Sequence, residues 1–337
     1  MERKLVSIQR IDALAPISGA DQIEQARVMG WTVVVKKGEF QPGDPCVFFE
    51  IDSVLPKEAP WAEFMKARGF RIRTLKLRGV LSQGLALPIS ILGEGQIPPL
   101  GIDIREHLGV TKYEAQLPDS REIAGSFPSL VPKTDEIRLQ SALGVLDEIG
   151  GRDFYISTKL DGSSVTYFRE PDGQFIACSR NWALERPSGV ASNAVWRVAE
   201  RHGLEKKLPP GLAIQAELCG PGIQKNRLGL SETDCFVFSV YDAKAGQYLD
   251  YQSMMDFCKE QALRTVPIEH EVRGEEARAF EHTLENWLEK ARGLYPGTEN
   301  RKEGIVVRGF EAMHSSTLGG RLSFKVINND FLLKDED

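Results

Sequence analysis

Lys159-Leu160-Asp161-Gly162-Ser163 follows a strand-like run, Phe154-Tyr155-Ile156-Ser157-Thr158. A lysine at the end of a buried strand, beside other cationic groups, can lose its proton near neutral pH and act as a nucleophile. Gly162 lets the backbone turn sharply behind it. Alone, Lys-x-Asp-Gly is weak, because a surface turn with Asp-Gly after a lysine has the same spelling. Its meaning comes from the segments that follow in one order: Ser179-Arg180-Asn181, Ile214-Gln215-Ala216-Glu217-Leu218-Cys219-Gly220, Phe236-Val237-Phe238-Ser239-Val240, Lys302-Glu303-Gly304-Ile305-Val306-Val307-Arg308 and Ser323-Phe324-Lys325-Val326-Ile327-Asn328.

In this order the segments resemble the six motifs that assemble the nucleotide pocket of the covalent nucleotidyltransferase superfamily: DNA ligases, RNA ligases and mRNA capping enzymes. The resemblance spans Lys159 to Lys325. It implies that Lys159 attacks ATP and becomes a lysyl-AMP. Such a lysine must meet the α-phosphate in line with the departing pyrophosphate, with cations and metal offsetting the charge that builds up. The resemblance assigns Lys325 to the α-phosphate, where its charge would also push the Lys159 pKa down, and Arg180 to the sugar or phosphates. Glu217 resembles the acid that accepts from the ribose hydroxyls, a task suited to an acceptor-only group. Phe238 resembles the ring that stacks on adenine, with Tyr241 as a second candidate.

Asp161 and Glu303 are the acids expected to serve Mg²⁺ or Mn²⁺ through its water shell, since Mg²⁺ dehydrates reluctantly. The residues alone leave blander roles open. Lys325 could face solvent from a strand, FVFSV could be core on both faces, and Asp161, Glu217 and Glu303 could hold basic partners. The chain also departs from the pattern twice. Ser239 stands where relatives often carry Asp, and Ser323 stands where many carry the first lysine of Lys-x-Lys, which makes Arg321 a candidate replacement for a phosphate contact.

The elements that must position these residues fall into two parts. TVVVKK, CVFFEIDSVL, RIRTLKLRGV and GLALPI are short β-branched or aromatic runs separated by Gly, Pro and Asp, and Trp61 to Arg68 reads as a short helix. This β-rich part, residues 1–112, is expected to be a small OB-like barrel, a form that binds oligonucleotides on an open strand face; an SH3-like barrel would look similar. Residues 113–130, with Pro118, Gly125 and Pro128, read as a linker. Residues 131–337 then alternate strands with helices, giving an α+β domain with antiparallel sheets and flanking helices. Thr134-Asp135-Glu136 reads as the start of a helix running to Gly150 and Gly151. Further helices are expected over Asn193 to His202, Tyr251 to Leu263 and Glu275 to Gly293.

Composition limits the partners. A net charge of -6 argues against indiscriminate coating of nucleic acid, which needs a broadly basic face. A local groove remains open, because Met65 to Leu81 carries Lys66, Arg68, Arg71, Arg73, Lys76 and Arg78 with no acid. Arg71, Arg73, Lys76 and Arg78 are the expected nucleic-acid contacts, with Lys225 and Arg227 as second choices; their alternation also fits an ordinary exposed strand face. Cys46, Cys178, Cys219, Cys235 and Cys258 are scattered without a metal or disulfide spacing. No apolar run has the length of a membrane span, so a cytoplasmic protein without a membrane partner is expected.

Domain order narrows the class. DNA ligases and capping enzymes generally place an OB domain after the last motif, whereas twelve residues follow Lys325 here and a barrel-like module comes first. That arrangement, with Gly-Pro-Gly-Ile-Gln-Lys-Asn and Pro-Lys-Thr-Asp-Glu, resembles the Deinococcus-type ATP-dependent RNA ligases. The resemblance implies RNA ends, or a nicked duplex containing RNA, as substrate. DNA sealing and GTP-dependent capping are the alternatives within the superfamily, and a non-catalytic RNA-binding module is the alternative outside it.

Overall fold

Alternation of side chains in Trp31–Lys36 buries Trp31, Val33 and Val35 and leaves Lys36 exposed, as a strand with one face on a core requires. The strand closes a meander with Ala13–Pro16 and Ile23–Val28. A second sheet runs Val6–Arg10, Pro45–Phe49, Leu85–Pro88, and Thr74–Leu77 pairs with Val80–Gln83 as a hairpin. Pro45–Phe49 is buried on both faces: Val47 and Phe49 enter one apolar cluster, Cys46 and Phe48 another. This strand has no wet face, because apolar clusters cover it on both sides. Each large apolar side chain buried this way contributes roughly 1.5–3 kcal/mol.

The computed structural model describes residues 4–113, 122–187 and 193–333. The chain divides into two units, Met1–Gln116 with Leu139–Leu143 and Leu332–Asp337, and Leu117–Arg138 with Gly144–Phe331. The expected linker differs from this division. Residues 114–121 lie outside the described residues, but Ile123–Ser126 is a strand at the edge of the second unit's larger sheet, paired with Trp182–Leu184 through an irregularity near Gly125. The glycine that reads as punctuation in the sequence sits at a bulge.

The second unit holds a seven-stranded sheet and a five-stranded sheet. The larger places Ser163–Arg169, Leu212–Cys219 and Asp234–Asp242 side by side. The smaller places Phe154–Lys159 between Ile268–Val272 and Gly304–Gly309, with Ser323–Ile327 beyond. Ala194–His202 packs Val195, Trp196, Val198 and Ala199 inward, starts at Asn193, whose side chain accepts from the Val195 N–H, and stops at the left-handed Gly203. Tyr251–Glu260 starts on an Asp250 cap and ends before the expected Leu263.

Two helices differ from expectation for tertiary reasons. Residues 134–149 form no continuous helix: Ile137–Arg138 pairs parallel to Ser323–Ile327, Leu139–Ser141 is a 3-10 turn and only Val145–Ile149 is α-helical. The would-be cap, Thr134, hydrogen-bonds Ser164 Oγ at 2.6 Å, while Asp135 and Glu136 pair with distant cations rather than with a helix start. The stretch Glu275 to Gly293 breaks into Gly274–Ala279 and Leu284–Lys290. Between them Phe280 and His282 turn in to meet Phe154 and Trp287, with ring centroids 4.9 to 5.7 Å apart, and Thr283 caps the second helix. Trp61 to Arg68 is helical, but as a 3-10 element, Pro60–Arg68. Among the described residues no helix is long and apolar enough to cross a membrane.

Candidate active site

Lys159 is the last residue of Phe154–Lys159 and pairs with Gly304 across the antiparallel ladder, which sets Glu303 beside it. Lys159 Nζ lies 2.7 Å from Glu303 Oε2, and both side chains are mostly buried, 21% and 20% exposed. Two glycines make the crossing tight enough. A Cβ on Gly162 would collide with the Leu218 carbonyl, and with Glu217 Cγ and Cys219 Sγ at 2.8 Å. A Cβ on Gly304, at φ +152°, would collide with the Val326 carbonyl. The glycines of Lys-x-Asp-Gly and Glu-Gly are therefore places where backbone meets backbone.

Glu217, on Leu212–Cys219, is paired in register with Ser164, two residues past Gly162. Asp161 receives Arg227 Nε at 2.9 Å on Oδ2. Burial alone would drive a proton off Lys159, but Glu303, Glu217 and Asp161 act against it, and the result is a pKa held above the usual lysine value. This corrects the expectation of a lysine depressed by Lys325. The sequence places cations near Lys159 in the motif pattern, whereas the fold surrounds it with acids from other strands. The carboxyl of Glu217 is pushed up to about 7, by burial and then by Glu303 and Asp161, against the pull of Lys159. Asp161 is raised by burial and by Glu303, with Arg227 opposing.

The expected phosphate cations are tied to one acid. Arg180 Nη2 lies 2.8 Å and Lys325 Nζ 3.7 Å from the Asp135 carboxylate. Arg180 is 49% exposed and Lys325 16%, so Lys325 does not face solvent. Phe238 packs with Leu160, Cys219 and Tyr295, in the same apolar cluster as the Lys159 turn. Tyr241 packs elsewhere, against the cluster of Val131, Phe168 and Ala213. A shift of register between Gln215 and Ala216 changes the facing of the strand between these two aromatics.

Arg321 does not take the place expected for it. Its Nη1 donates to Ser239 Oγ at 2.9 Å, and its guanidinium sits 4.6 Å from the Tyr248 ring centroid. Ser323 accepts from Arg308 Nε at 2.9 Å, and Arg308, 2% exposed, holds Glu136 at 2.8 Å. Both departures from the motif pattern, Ser239 and Ser323, thus serve arginines, the half-buried Arg321 and the buried Arg308. Sequence reasoning missed Asp135, Glu136 and Tyr295. The first two read as helix-start acids, and the last carries no motif signal.

Of the expected nucleic-acid contacts, Arg73, Lys76, Arg78 and Lys225 are exposed. Arg71 is held by Asp52 at 2.7 Å and lies 3.4 Å over the Tyr113 ring centroid. Arg227, with 11% of its side chain exposed, is committed to Asp161 and to the ring of Phe331, whose centroid is 4.7 Å away. Arg78 and Gly79, both at positive φ, form the two-residue turn between Leu77 and Val80.

Three carboxylates around one ammonium suit a divalent cation. Direct ligation needs ligand atoms at close spacing, whereas a hydrated ion is reached through its waters. Among the described residues the one group at such spacing is His202, Asp234 and Cys235. Its Asp234 is already matched by His202 Nε2 at 2.7 Å and by Arg264 at 3.6 Å. All five cysteines are buried free thiols, and burial raises each thiol pKa, that of Cys46 to about 12.

An RNA ligase family model matches residues 152–327, and an OB-fold domain model matches residues 5–89. The chain belongs to the RNA ligase family. Its two units are thus an N-terminal OB-fold and a ligase-type nucleotidyltransferase domain. Solved structures similar to this ligase include the Naegleria gruberi RNA ligase with PPi, at 34% identity and TM-score 0.87 over 99% of each chain. A lysine-to-alanine variant of that enzyme with ATP and Mn matches at 35% identity and TM-score 0.85 over 98% of each chain. A glutamate-to-alanine variant with ATP and Mn matches at 35% and 0.87, covering 99% of this chain and 100% of the other. No curated protein matches.

Proposed function

We propose that this ATP-dependent RNA ligase works through Lys159. The observation that carries the reading is the Lys159–Glu303 pair at 2.7 Å, with Asp161 and Glu217 acting on the same ammonium. Lys159 gives up a proton, its Nζ bonds the α-phosphorus of ATP, and the bond to pyrophosphate breaks. AMP then passes from Lys159 to a 5′-phosphate end, and a 3′-hydroxyl attacks that phosphate, forming the phosphodiester and releasing AMP.

The residues divide these tasks by charge. Asp161 and Glu303 would hold Mg²⁺ or Mn²⁺, which when bound supplies the positive charge that offsets the acids now keeping Lys159 protonated. Lys325 and Arg180 leave Asp135 for the stronger anion of the nucleotide phosphates, Glu217 accepts from the ribose hydroxyls, and Phe238 stacks on the base. Arg73, Lys76 and Arg78 on the OB-fold, and Lys225 on the ligase domain, are surface cations suited to phosphate contact. The barrel-first order supports a likeness to the Deinococcus-type enzymes and, with it, RNA on the 3′-hydroxyl side of a nick as substrate.

The test is incubation with α-labelled ATP or GTP, followed by sealing of nicks with RNA or DNA on each side. An acid-stable adduct from ATP, and sealing that requires RNA at the 3′-hydroxyl side, is the expected result. Label from GTP points to capping, equal sealing of all-DNA nicks to DNA ligation, and no adduct to a binding module.

A further inference from the structure

The segment from Leu294 to Arg301 belongs to none of the motifs, yet it is tied to three of the site's residues. It closes on itself: Leu294 bridges Arg301, the Tyr295 N–H donates to the Asn300 carbonyl at 2.9 Å, and the Thr298 N–H and hydroxyl both donate to the Tyr295 carbonyl at 3.1 Å. Tyr295 is 1% exposed and packs with Leu160, Cys219 and Val266. Its phenol oxygen accepts from the backbone N–H of Asp161 at 2.9 Å and of Glu303 at 3.0 Å, and donates to the Lys159 carbonyl at 3.2 Å. A phenol has one proton to give and lone pairs to accept with, so its proton and two acceptor positions are all engaged.

The three partners are the nucleophile and the two acids that would serve the metal, and they come from two distant stretches of chain. One oxygen therefore sets the spacing between the Lys159–Asp161 backbone and the Glu303 backbone. A second tie comes from the same segment. Asn300 Nδ2 donates to the Arg227 carbonyl at 2.8 Å, and Arg227 Nε holds the Asp161 carboxylate at 2.9 Å.

We propose that Tyr295, seconded by Asn300, is a positioning residue of the ligase site, which fixes the distance between Asp161 and Glu303 at which their carboxylates receive a divalent cation beside Lys159. The inference rests on the reading of Lys159, Asp161 and Glu303 given above. The Tyr295 hydroxyl bonds backbone groups only and takes no part in bond making. Supports behind metal ligands typically cost roughly 10–100-fold in metal affinity or activity when removed, and a displacement of about 1 Å can cost ~100-fold in rate.

Tyr295→Phe keeps the ring and removes only the oxygen. In the full chain, the Mn²⁺ concentration for half-maximal lysyl-AMP formation should rise about 10-fold, and the single-turnover rate at saturating Mn²⁺ should fall roughly 10–100-fold, with the ATP dependence little changed. A second readout needs no turnover: in metal-free protein, amide hydrogen exchange at Asp161 and Glu303 should accelerate in the variant more than exchange in the Ala194–His202 helix. Asn300→Ala, at an exposed position, should shift the Mn²⁺ requirement the same way by a smaller factor, and it decides the matter if Tyr295→Phe does not fold. An unchanged Mn²⁺ requirement and rate overturn the proposal, as does a loss of melting temperature with the Mn²⁺ requirement unmoved, which marks a merely structural hydroxyl. Absence of any adduct from the wild-type protein overturns the functional reading instead, and the exchange measurement then still judges the tie itself.

Discussion

The ladder between Phe154–Lys159 and Gly304–Gly309 carries a charged cluster at each end, and the two are built oppositely. At one end Lys159, opposite Gly304, meets three acids, and its neighbours Glu217 and Asp161 are both raised in pKa. At the other end Arg308, opposite Tyr155, is more deeply buried yet settled: Glu136 and Ser323 take its N–H groups, and Phe238 lies 5.6 Å from its guanidinium. Glu136 is lowered in pKa, because Arg308 outweighs the cost of its burial. Depth alone therefore does not make a group reactive. Surplus charge of one sign does, because it leaves the site a free energy that a cation or nucleotide can release.

The sharpest way to break this contrast is to remove each cation. Lys159→Ala should lower lysyl-AMP formation by at least ~10⁴-fold, whereas Arg308→Met should leave labelled protein detectable on a denaturing gel. Equal loss from both would erase the distinction. Next, Arg308→Met should cost roughly 3–5 kcal/mol in chemical denaturation, since it strands Glu136, while the double change with Glu136→Leu should recover most of that. A double variant no more stable than the single would mean the pair does not act as a unit.

The acid end should respond to pH in the other direction. The folded Glu217 carboxyl, at about 7 against an ordinary 4.5, holds its proton more tightly than in the unfolded chain. That contribution favours folding at low pH and is lost as pH rises from about 4.5 to 7, amounting to about 3 kcal/mol. Glu217→Gln should then melt higher than wild type at pH 8 and equally at pH 4, even as nucleotide use suffers; a lower melting temperature at pH 8 would sink the assignment. The smallest effect belongs to Ser323→Ala, which removes a hydroxyl bonded to Arg308 and Glu136 and should cost about 2 kcal/mol with little change in adenylylation.

The sequence speaks clearly where chemistry and strand periodicity coincide. Lys159, Glu217, Phe238, Glu303 and Lys325 are all on or beside strands that the alternation and β-branched runs announce, and Asn193 to His202 carries its own cap and stop. It speaks misleadingly where local grammar has a distant use. Thr134-Asp135-Glu136 has the spelling of a helix start, but its partners are Ser164, Arg180, Lys325 and Arg308. The sign of the Lys159 shift was illegible for the same reason, because Glu217 and Glu303 reach it only through sheet register. Arg71 and Arg227 read as free basic residues, and only the fold shows Asp52, Tyr113, Asp161 and Phe331 holding them.

The five buried thiols have a practical corollary for labelling. Alkylating reagents attack the thiolate, and burial with a raised pKa withholds it from each native cysteine. A cysteine introduced at exposed Arg73 or Lys76 would be the reactive thiol of the native molecule, a single anchor for a fluorophore or a photocrosslinker on the barrel without first stripping out the cysteines it already has.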